Sequence, residues 1–397
     1  MYQQQFDIIS NNLASNNWQW FKDNAINVKD AGPYYILNYD QIASYVIGMN
    51  EYNVLTRGTV FDKNGKLVSF PFKRFFNRGE PYADRINYGD PQTCILEKLD
   101  GSLLNVFFNE NNEPVYNTRK MISANINDMD IKSKSFITGD DVNLMREFGS
   151  YVQNINYISA QKDFFNTKNV TLIFEIVTKT NKVVTNYSDD KLGLYLIGCR
   201  NMDTLEEFSE PELDQIVQIL GVKRPCYYFV DGGYSEIKRF LDENFSNDFE
   251  GFVVRCGDKR VKIKKDTYLE LHRTLSDISL KTLVPVVMSG EIEELRLYQQ
   301  STEAINIIND IEQRLNKLIE DIINSWSSVS QFNVIGVSRQ NAKKQFVSML
   351  KTNNIKYSDF MTKIYDGKMD LNNLNVSIRQ ALKNKSINNM LELLGYK

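Results

Sequence analysis

One lysine, two glutamates and a lysine pair are the residues of this chain whose types and spacing could carry chemistry. Lys98 ends an apolar, strand-like run, Cys94-Ile95-Leu96, and stands before the turn Asp100-Gly101-Ser102, from which a second apolar run, Leu103 to Phe108, departs. A lysine fixed between two strands and next to Gly101 is placed to meet a phosphate closely, because glycine leaves no Cβ in the way. The same stretch alone also fits an ordinary hairpin with a solvated lysine at its tip. Glu175 lies inside the apolar run Val170–Val177, where an acid is costly unless it is paired or binds something. Glu250-Gly251 opens the run Phe252-Val253-Val254, and Lys262-Ile263-Lys264 returns after a turn at Gly257-Asp258. The strand period of two places both lysines on one face, where they repel each other unless an anion lies between them.

Two further segments could serve the same site. Arg57-Gly58 sits within a strand pattern, which fits a side chain aimed at a ligand where backbone comes close; a plain surface arginine fits as well. Pro71-Phe72-Lys73-Arg74-Phe75-Phe76-Asn77 interleaves cations with aromatics, a texture that can stack a base and hold a phosphate, or form a core edge with snorkelling cations. Arg57–Arg85 and Arg255–Arg273 each hold seven Lys/Arg against three Asp/Glu in a chain of net charge −3, so a focused anion site is expected, with solvated faces as the bland alternative.

Elements must position these groups. A chain of 397 residues, 42% hydrophobic and 24% charged, is long enough for two or three domains with real cores and reads as soluble and globular. No run has membrane-span length and the N-terminus lacks signal-peptide character, so the cell interior is the default expectation. Cys94, Cys199, Cys226 and Cys256 have no metal-ligand spacing and are expected to be reduced and mostly buried. The first thirty residues read as helical, with Phe6, Ile9, Leu13, Trp18, Trp20 and Phe21 on one face. Strands are expected at 34–39, 54–61, 67–70, 115–119, 170–177 and 192–199, and helices at 140–160 and 211–220. From about Asp277 the chain turns helical, with a core stripe from Ile305 to Trp326 and shorter helices at 338–351, 358–365 and 376–394, Ser338 and Ser358 being cap candidates. The charge balance of this tail as a whole is fairly even.

The ordered set Lys98-x-Asp100-Gly101, Phe174-Glu175, Glu250-Gly251 and Lys262-x-Lys264 resembles the covalent nucleotidyltransferases, the polynucleotide ligases and capping guanylyltransferases. Arg57-Gly58, the segment Pro71–Asn77, Thr180-Asn181 and Tyr268-x-x-x-His272 narrow the resemblance to the bacteriophage RNA ligase 1 family, over roughly Tyr34 to His272. Two positions depart from that family: Arg74 stands where a lysine is usual, and Arg119 where another basic residue is expected; both exchange a point charge for a planar fork.

The resemblance implies an α+β nucleotidyltransferase domain of ATP-grasp-like antiparallel sheets over 1–276, followed by an all-α domain over 277–397. It implies an ATP-dependent RNA ligase for tRNA repair: Lys98 takes AMP from ATP, passes it to an RNA 5′-phosphate, and a 3′-OH then displaces AMP. A free lysine has a pKa near ~10.4, so Lys262, Lys264 and a divalent cation are expected to disfavour its charged form. By the same resemblance Glu250 holds Mg²⁺, with Mn²⁺ as a substitute, and Glu175 meets the ribose. Tyr39, Arg57, Arg74, Phe76, Glu97, Gly101, Arg119, Gly251 and Tyr268 join the nucleotide site, and His272 is structural. Cleaved tRNA is the implied partner and single-stranded DNA a further acceptor, with no membrane, for a cytoplasmic monomer (host cytoplasm if viral). A DNA ligase or capping enzyme is the rival within the superfamily, though each usually carries a β-barrel where this chain reads as helical. A non-catalytic single-stranded RNA-binding protein on the same fold is the rival from another class.

Overall fold

The computed structural model describes residues 2–126, 129, 132–134, 141–143, 152, 155, 157, 169–178, 187–246, 249–265, 280–290, 292, 302–332 and 337–396, with side chains left out at 132–134, 141–143 and 302–304. The chain divides into two compact units, Met1–Asp40 with Met49–Leu275, and Gln41–Gly48 with Ser276–Lys397. Gln41–Gly48 thus belongs with the helical unit although it lies inside the 1–276 range read for the first domain.

In chain order the elements are α1 (Gln3–Ala14), α2 (Trp18–Asp23), β1 (Ile26–Ala31), β2 (Tyr34–Tyr39), α3 (Gln41–Ile47), β3 (Arg57–Asp62), β4 (Leu67–Ser69), β5 (Phe76–Asn77), β6 (Thr93–Glu97), β7 (Ser102–Phe108), β8 (Pro114–Asn117), β9 (Ile122–Ser123), β10 (Lys132–Lys134), β11 (Asp141–Asn143), β12 (Val170–Val177), β13 (Gly193–Asn201), α4 (Glu210–Leu220), β14 (Tyr227–Tyr228), α5 (Tyr234–Asn244), β15 (Gly251–Cys256), β16 (Lys259–Lys264), α6 (Leu280–Ser289), α7 (Thr302–Val329), α8 (Arg339–Thr352), α9 (Ser358–Tyr365), α10 (Leu374–Lys383) and α11 (Ile387–Leu393).

The first unit holds three larger sheets, each of which buries one face under helix, and the two-stranded pair β10-β11. In the sheet β1-β2-β3-β4, Ile26, Leu37 and Phe61 pack on Phe6, Ile9 and Leu13 of α1 and Phe21 of α2. In the sheet β13-β12-β7-β8-β9, Leu104, Val106, Leu172, Phe174, Ile176 and Leu196 pack on Leu213, Ile216 and Leu220 of α4. A capping box of Ser209 with Glu212 starts α4, and Gly221, at φ +66°, ends it. In the sheet β14-β6-β15-β16-β5, Ile95, Phe252, Val254, Val261 and Ile263 pack on Ile237 and Leu241 of α5. Strand alternation then turns Leu96, Val253, Arg255, Arg260, Lys262 and Lys264 to the opposite face of that sheet. Every pairing is antiparallel except that of β5 with β16, among the described residues.

The second unit is helical: Ile308, Ile311, Leu315, Leu318 and Ile322 of α7 form one stripe against Val284 and Val287 of α6, Phe346 of α8, Met361 of α9 and Leu382 of α10. No described helix is long and apolar enough to cross a membrane.

Several local readings change. The helical reading of the first thirty residues stops at Asp23, because Ala25 adopts φ +53° and Ile26–Ala31 pairs residue for residue with β2. The strand expected from Val54 starts at Arg57, since Asn53–Leu55 is a 3₁₀ turn tied down by bonds from Asn50 N–H and Thr56 Oγ1 to Asn53. Asp141–Asn143 is a strand paired with Lys132–Lys134 where a helix was expected, and most of 140–160 lies outside the described residues. The expected helix 376–394 is two helices, because Ser386 caps a new one by accepting from the Asn389 N–H at 3.4 Å. Ser338 caps α8 as expected, whereas the cap of α9 is Tyr357, at φ +58°, and Ser358 is its first residue. All four cysteines are free; Cys94 and Cys199 are buried, Cys256 is half-buried and Cys226 is exposed.

Candidate active site

A cavity of about 640 Å³ opens between the two larger sheets of the first unit. Leu96, Val253 and Lys262 reach it from one sheet, Leu103, Glu175 and Ile197 from the other, and Lys98 and Gly101 from the turn joining β6 to β7. Arg57, Glu97 and Arg119 also line it, so seven of the residues singled out in the sequence meet there.

Backbone contacts set the positions. Lys98 N–H donates to the Gly251 carbonyl at 2.9 Å, and β15 pairs Gly251 with Lys264 and Val253 with Lys262. Glycines draw these strands together. A Cβ on Gly101 would collide with the Ile176 carbonyl on β12, and one on Gly251 with the Ile263 carbonyl on β16. Gly101, which lines the cavity, is therefore also required by the neighbouring strand, a constraint that its place beside Lys98 does not reveal.

Lys98 Nζ lies 2.6 Å from Glu250 Oε1, and Lys264 Nζ lies 3.7 Å from the same oxygen. Glu250 is 5% exposed, and its other carboxylate oxygen, Oε2, is buried without a hydrogen-bond partner. An orphaned carboxylate oxygen beside a polar cavity suits a hard divalent cation that takes its remaining ligands from phosphate and water. No group of three or more His, Cys, Asp or Glu is arranged to hold a metal among the described residues. Burial pushes Glu175 up to about 7, although Lys98 and Arg57 pull it down. Burial also raises Glu97, with Lys191 opposing it.

The arginines form a second cluster. Arg74 stacks over Tyr39 at 4.4 Å and over Phe76 at 4.8 Å, and Arg119 faces Tyr39 at 5.3 Å. Arg57 is pushed below the ordinary arginine value by burial and by the like charges of Arg119 and Arg74. Its Nε and that of Arg119 are buried and unpartnered.

Tyr39, Arg74, Phe76, Glu250, Gly251 and Lys264 are not among the residues lining the cavity: the Tyr39 and Phe76 rings lie against Arg74, Glu250 is paired with Lys98 and Lys264, and Gly251 pairs with Lys264 across the strands. Tyr268, His272, Thr180 and Asn181 lie outside the described residues. Among lining residues that sequence reasoning did not single out, Lys29 was hidden by the helical reading of β1. Arg260 was legible, because the period that pairs Lys262 with Lys264 puts Arg260 on the same face. Within the described part of the stretch, Arg255–Lys265, the cations do not all serve one anion site. Arg255 and Arg260 are committed to Glu210 and Glu207, and Lys265 Nζ donates to carbonyls of Leu241, Asp242 and Phe245.

A nucleophile candidate beside an incompletely satisfied carboxylate, in a cavity lined by cations and apolar side chains, has the parts that transfer of a phosphate-bearing group to lysine requires. The sequence model of the family described as RNA ligase matches residues 55–268, and the chain belongs to that family. An RNA ligase of Rhodothermus phage RM378 is 22% identical over 320 residues, covering 68% of this chain and 71% of the relative. Among solved structures, an archaeal ATP-dependent RNA ligase aligns with 88% of this chain and 90% of its own at 14% identity and a TM-score of 0.44. A Naegleria gruberi RNA ligase mutant with ATP and Mn aligns with 47% of this chain at 17% identity and a TM-score of 0.33; the alignment covers 52% of that ligase, about half its length.

Proposed function

We propose that the protein is an ATP-dependent RNA ligase that seals 5′-phosphate to 3′-OH ends through a lysyl-adenylate on Lys98. The observation that carries this reading is the place of Lys98, at the cavity wall with its Nζ 2.6 Å from Glu250. To act, Lys98 leaves Glu250 and loses a proton, for which Glu250 Oε1 is within transfer distance. Its Nζ lone pair then forms a bond to the α-phosphorus of ATP as the bond to the bridging oxygen breaks and pyrophosphate departs. An oxygen of the RNA 5′-phosphate next takes the AMP from Nζ, and the 3′-OH attacks the activated 5′-phosphorus, releasing AMP and a proton.

Lys262, Arg57 and Arg119 supply positive charge against the phosphates, and Leu96, Val253, Ile197 and Phe75 offer apolar surface to the base. Glu250 Oε2 is the ligand position for Mg²⁺ or Mn²⁺, which when bound supplies charge against the phosphate oxygens. By family resemblance the acceptor is a tRNA cleaved in its anticodon loop, joined by a monomer in the cytoplasm. Equal rates on cleaved tRNA and on an unstructured oligonucleotide would overturn that substrate.

Intact-protein mass after mixing with ATP and Mg²⁺, without RNA, tests the chemistry. An AMP-sized, acid-labile adduct is expected on the wild type and none on Lys98→Ala. Absence of the adduct from wild type first stripped with pyrophosphate would leave an RNA-binding protein without catalysis.

A further inference from the structure

Arg57 and Arg119 are 62 positions apart in sequence, yet both line the cavity, their charges repel, and neither guanidinium Nε has a protein partner. Backbone holds them together. Gly58, at φ +78°, is the extra residue where the register of β2 against β3 shifts, with Leu37 facing Thr59 and Asn38 facing Arg57. Such a bulge re-aims the side chain beside it. Both backbone polar groups of Gly58 are bound by asparagines: its N–H donates to Asn38 Oδ1 at 3.0 Å, and its carbonyl accepts from Asn117 Nδ2 at 3.0 Å. Asn38 Nδ2 also donates to the carbonyl of Arg119. The contact is close enough that a Cβ on Gly58 would touch Arg119 Cα at 3.4 Å. Neither asparagine lines the cavity.

We propose that Asn38 is a positioning residue, whose amide bridges Gly58 to Arg119 and sets the two guanidinium groups beside each other so that one polyphosphate engages both. The inference rests on the ligase reading only for the class of ligand, a chain of phosphates. Two neighbouring cations gain from a shared anion what they lose by repulsion, and a displacement of about 1 Å is enough to undo a fit of this kind.

Tripolyphosphate binding to the full chain, measured by calorimetry, tests this in a double-mutant cycle of Asn38→Ala and Arg119→Ala. Asn38→Ala is expected to weaken binding about 10- to 100-fold, and to cost nothing further once Arg119→Ala is present. Asn38→Ser, which keeps a small polar side chain, serves if the alanine variant does not fold, and is expected to show the same non-additivity. An equal loss in both backgrounds, no loss in either, or no binding by the wild type would each overturn the proposal. The AMP adduct is scored on the same wild-type protein. Binding with a non-additive cycle but no adduct removes the ligase reading and leaves the clamp; an adduct with an additive cycle does the reverse.

Discussion

Two sets of arginines in the first unit are treated in opposite ways. Glu207 takes Arg200 at 2.5 Å and both terminal nitrogens of Arg260, and Arg255 reaches Glu210 at 2.6 Å, with Arg224 on the other oxygen of Glu210. Among the described residues Arg57 and Arg119 make no ion pair with a carboxylate, Glu175 acting on Arg57 only through its field, and the Arg74 side chain meets the Met49 sulfur and two rings. Arg260 shows that facing the cavity is not the distinction, for it lines the cavity and is still committed to Glu207. The difference lies in the counter-charge. Where the fold needs an arginine it supplies the acid as well; where it leaves the acid out, the charge is available to an anion that arrives.

Removing an acid from the first set should have the largest effect. Burial alone would raise Glu207, but Arg260 and Arg200 outweigh it and hold the carboxyl at about 2. Glu207→Ala leaves Arg200 and Arg260 buried without their partner, and stability measured by urea unfolding should fall by about 3–5 kcal/mol. A loss under about 1 kcal/mol would mean that the network is not structural and that the contrast with Arg57 is empty.

The two glutamates also give the comparison a pH signature. Glu207, lowered in the fold, contributes stability above about pH 4.5 that is lost as pH falls toward 2. Glu175, raised from 4.5 to about 7, does the reverse: the folded state holds its proton more tightly, so its contribution is full below pH 4.5 and is lost as pH rises to 7. That loss is on the order of 3 kcal/mol at most. Urea midpoints between pH 5 and 7.5 should therefore decline for the wild type and flatten for Glu175→Gln. A wild-type slope unchanged by the substitution would place Glu175 outside any such strained environment.

What could be read beforehand follows the same division. Lys98, Glu175, Glu250 and the Lys262/Lys264 face were legible because each is a local anomaly: a charge at a strand end, or inside a strand whose period fixes the face it shares. The paired arginines were not. Arg255 and Arg260 read as part of a basic stretch, because Glu210 at the start of α4 and Glu207 just before it, which neutralise them, come from some 45 to 53 positions away. The second constraint on Gly101 was not legible, since its close neighbour is the Ile176 carbonyl on a strand paired only in three dimensions. Tyr39 and Phe76 were placed at the nucleotide site by resemblance, and their contacts with Arg74, 35 and 2 positions away, are set by the fold.

The smallest stability effect should come from the second set, and there it sharpens the contrast most. Arg57→Met keeps the apolar stem and removes a buried charge that Arg119 and Arg74 oppose and Tyr39 and Glu175 favour. Among the described residues no hydrogen bond or ion pair to the guanidinium is lost, and burial and like-charge repulsion offset the attraction of Glu175, so unfolding free energy should stay level to within about 1 kcal/mol. Adenylylation of Lys98 should meanwhile slow by about 100-fold or more, the usual cost of removing one preorganised charge at a phosphoryl centre. A residue kept for packing would lose stability and activity together. A loss of activity with stability level is what an arginine held for an incoming anion must give.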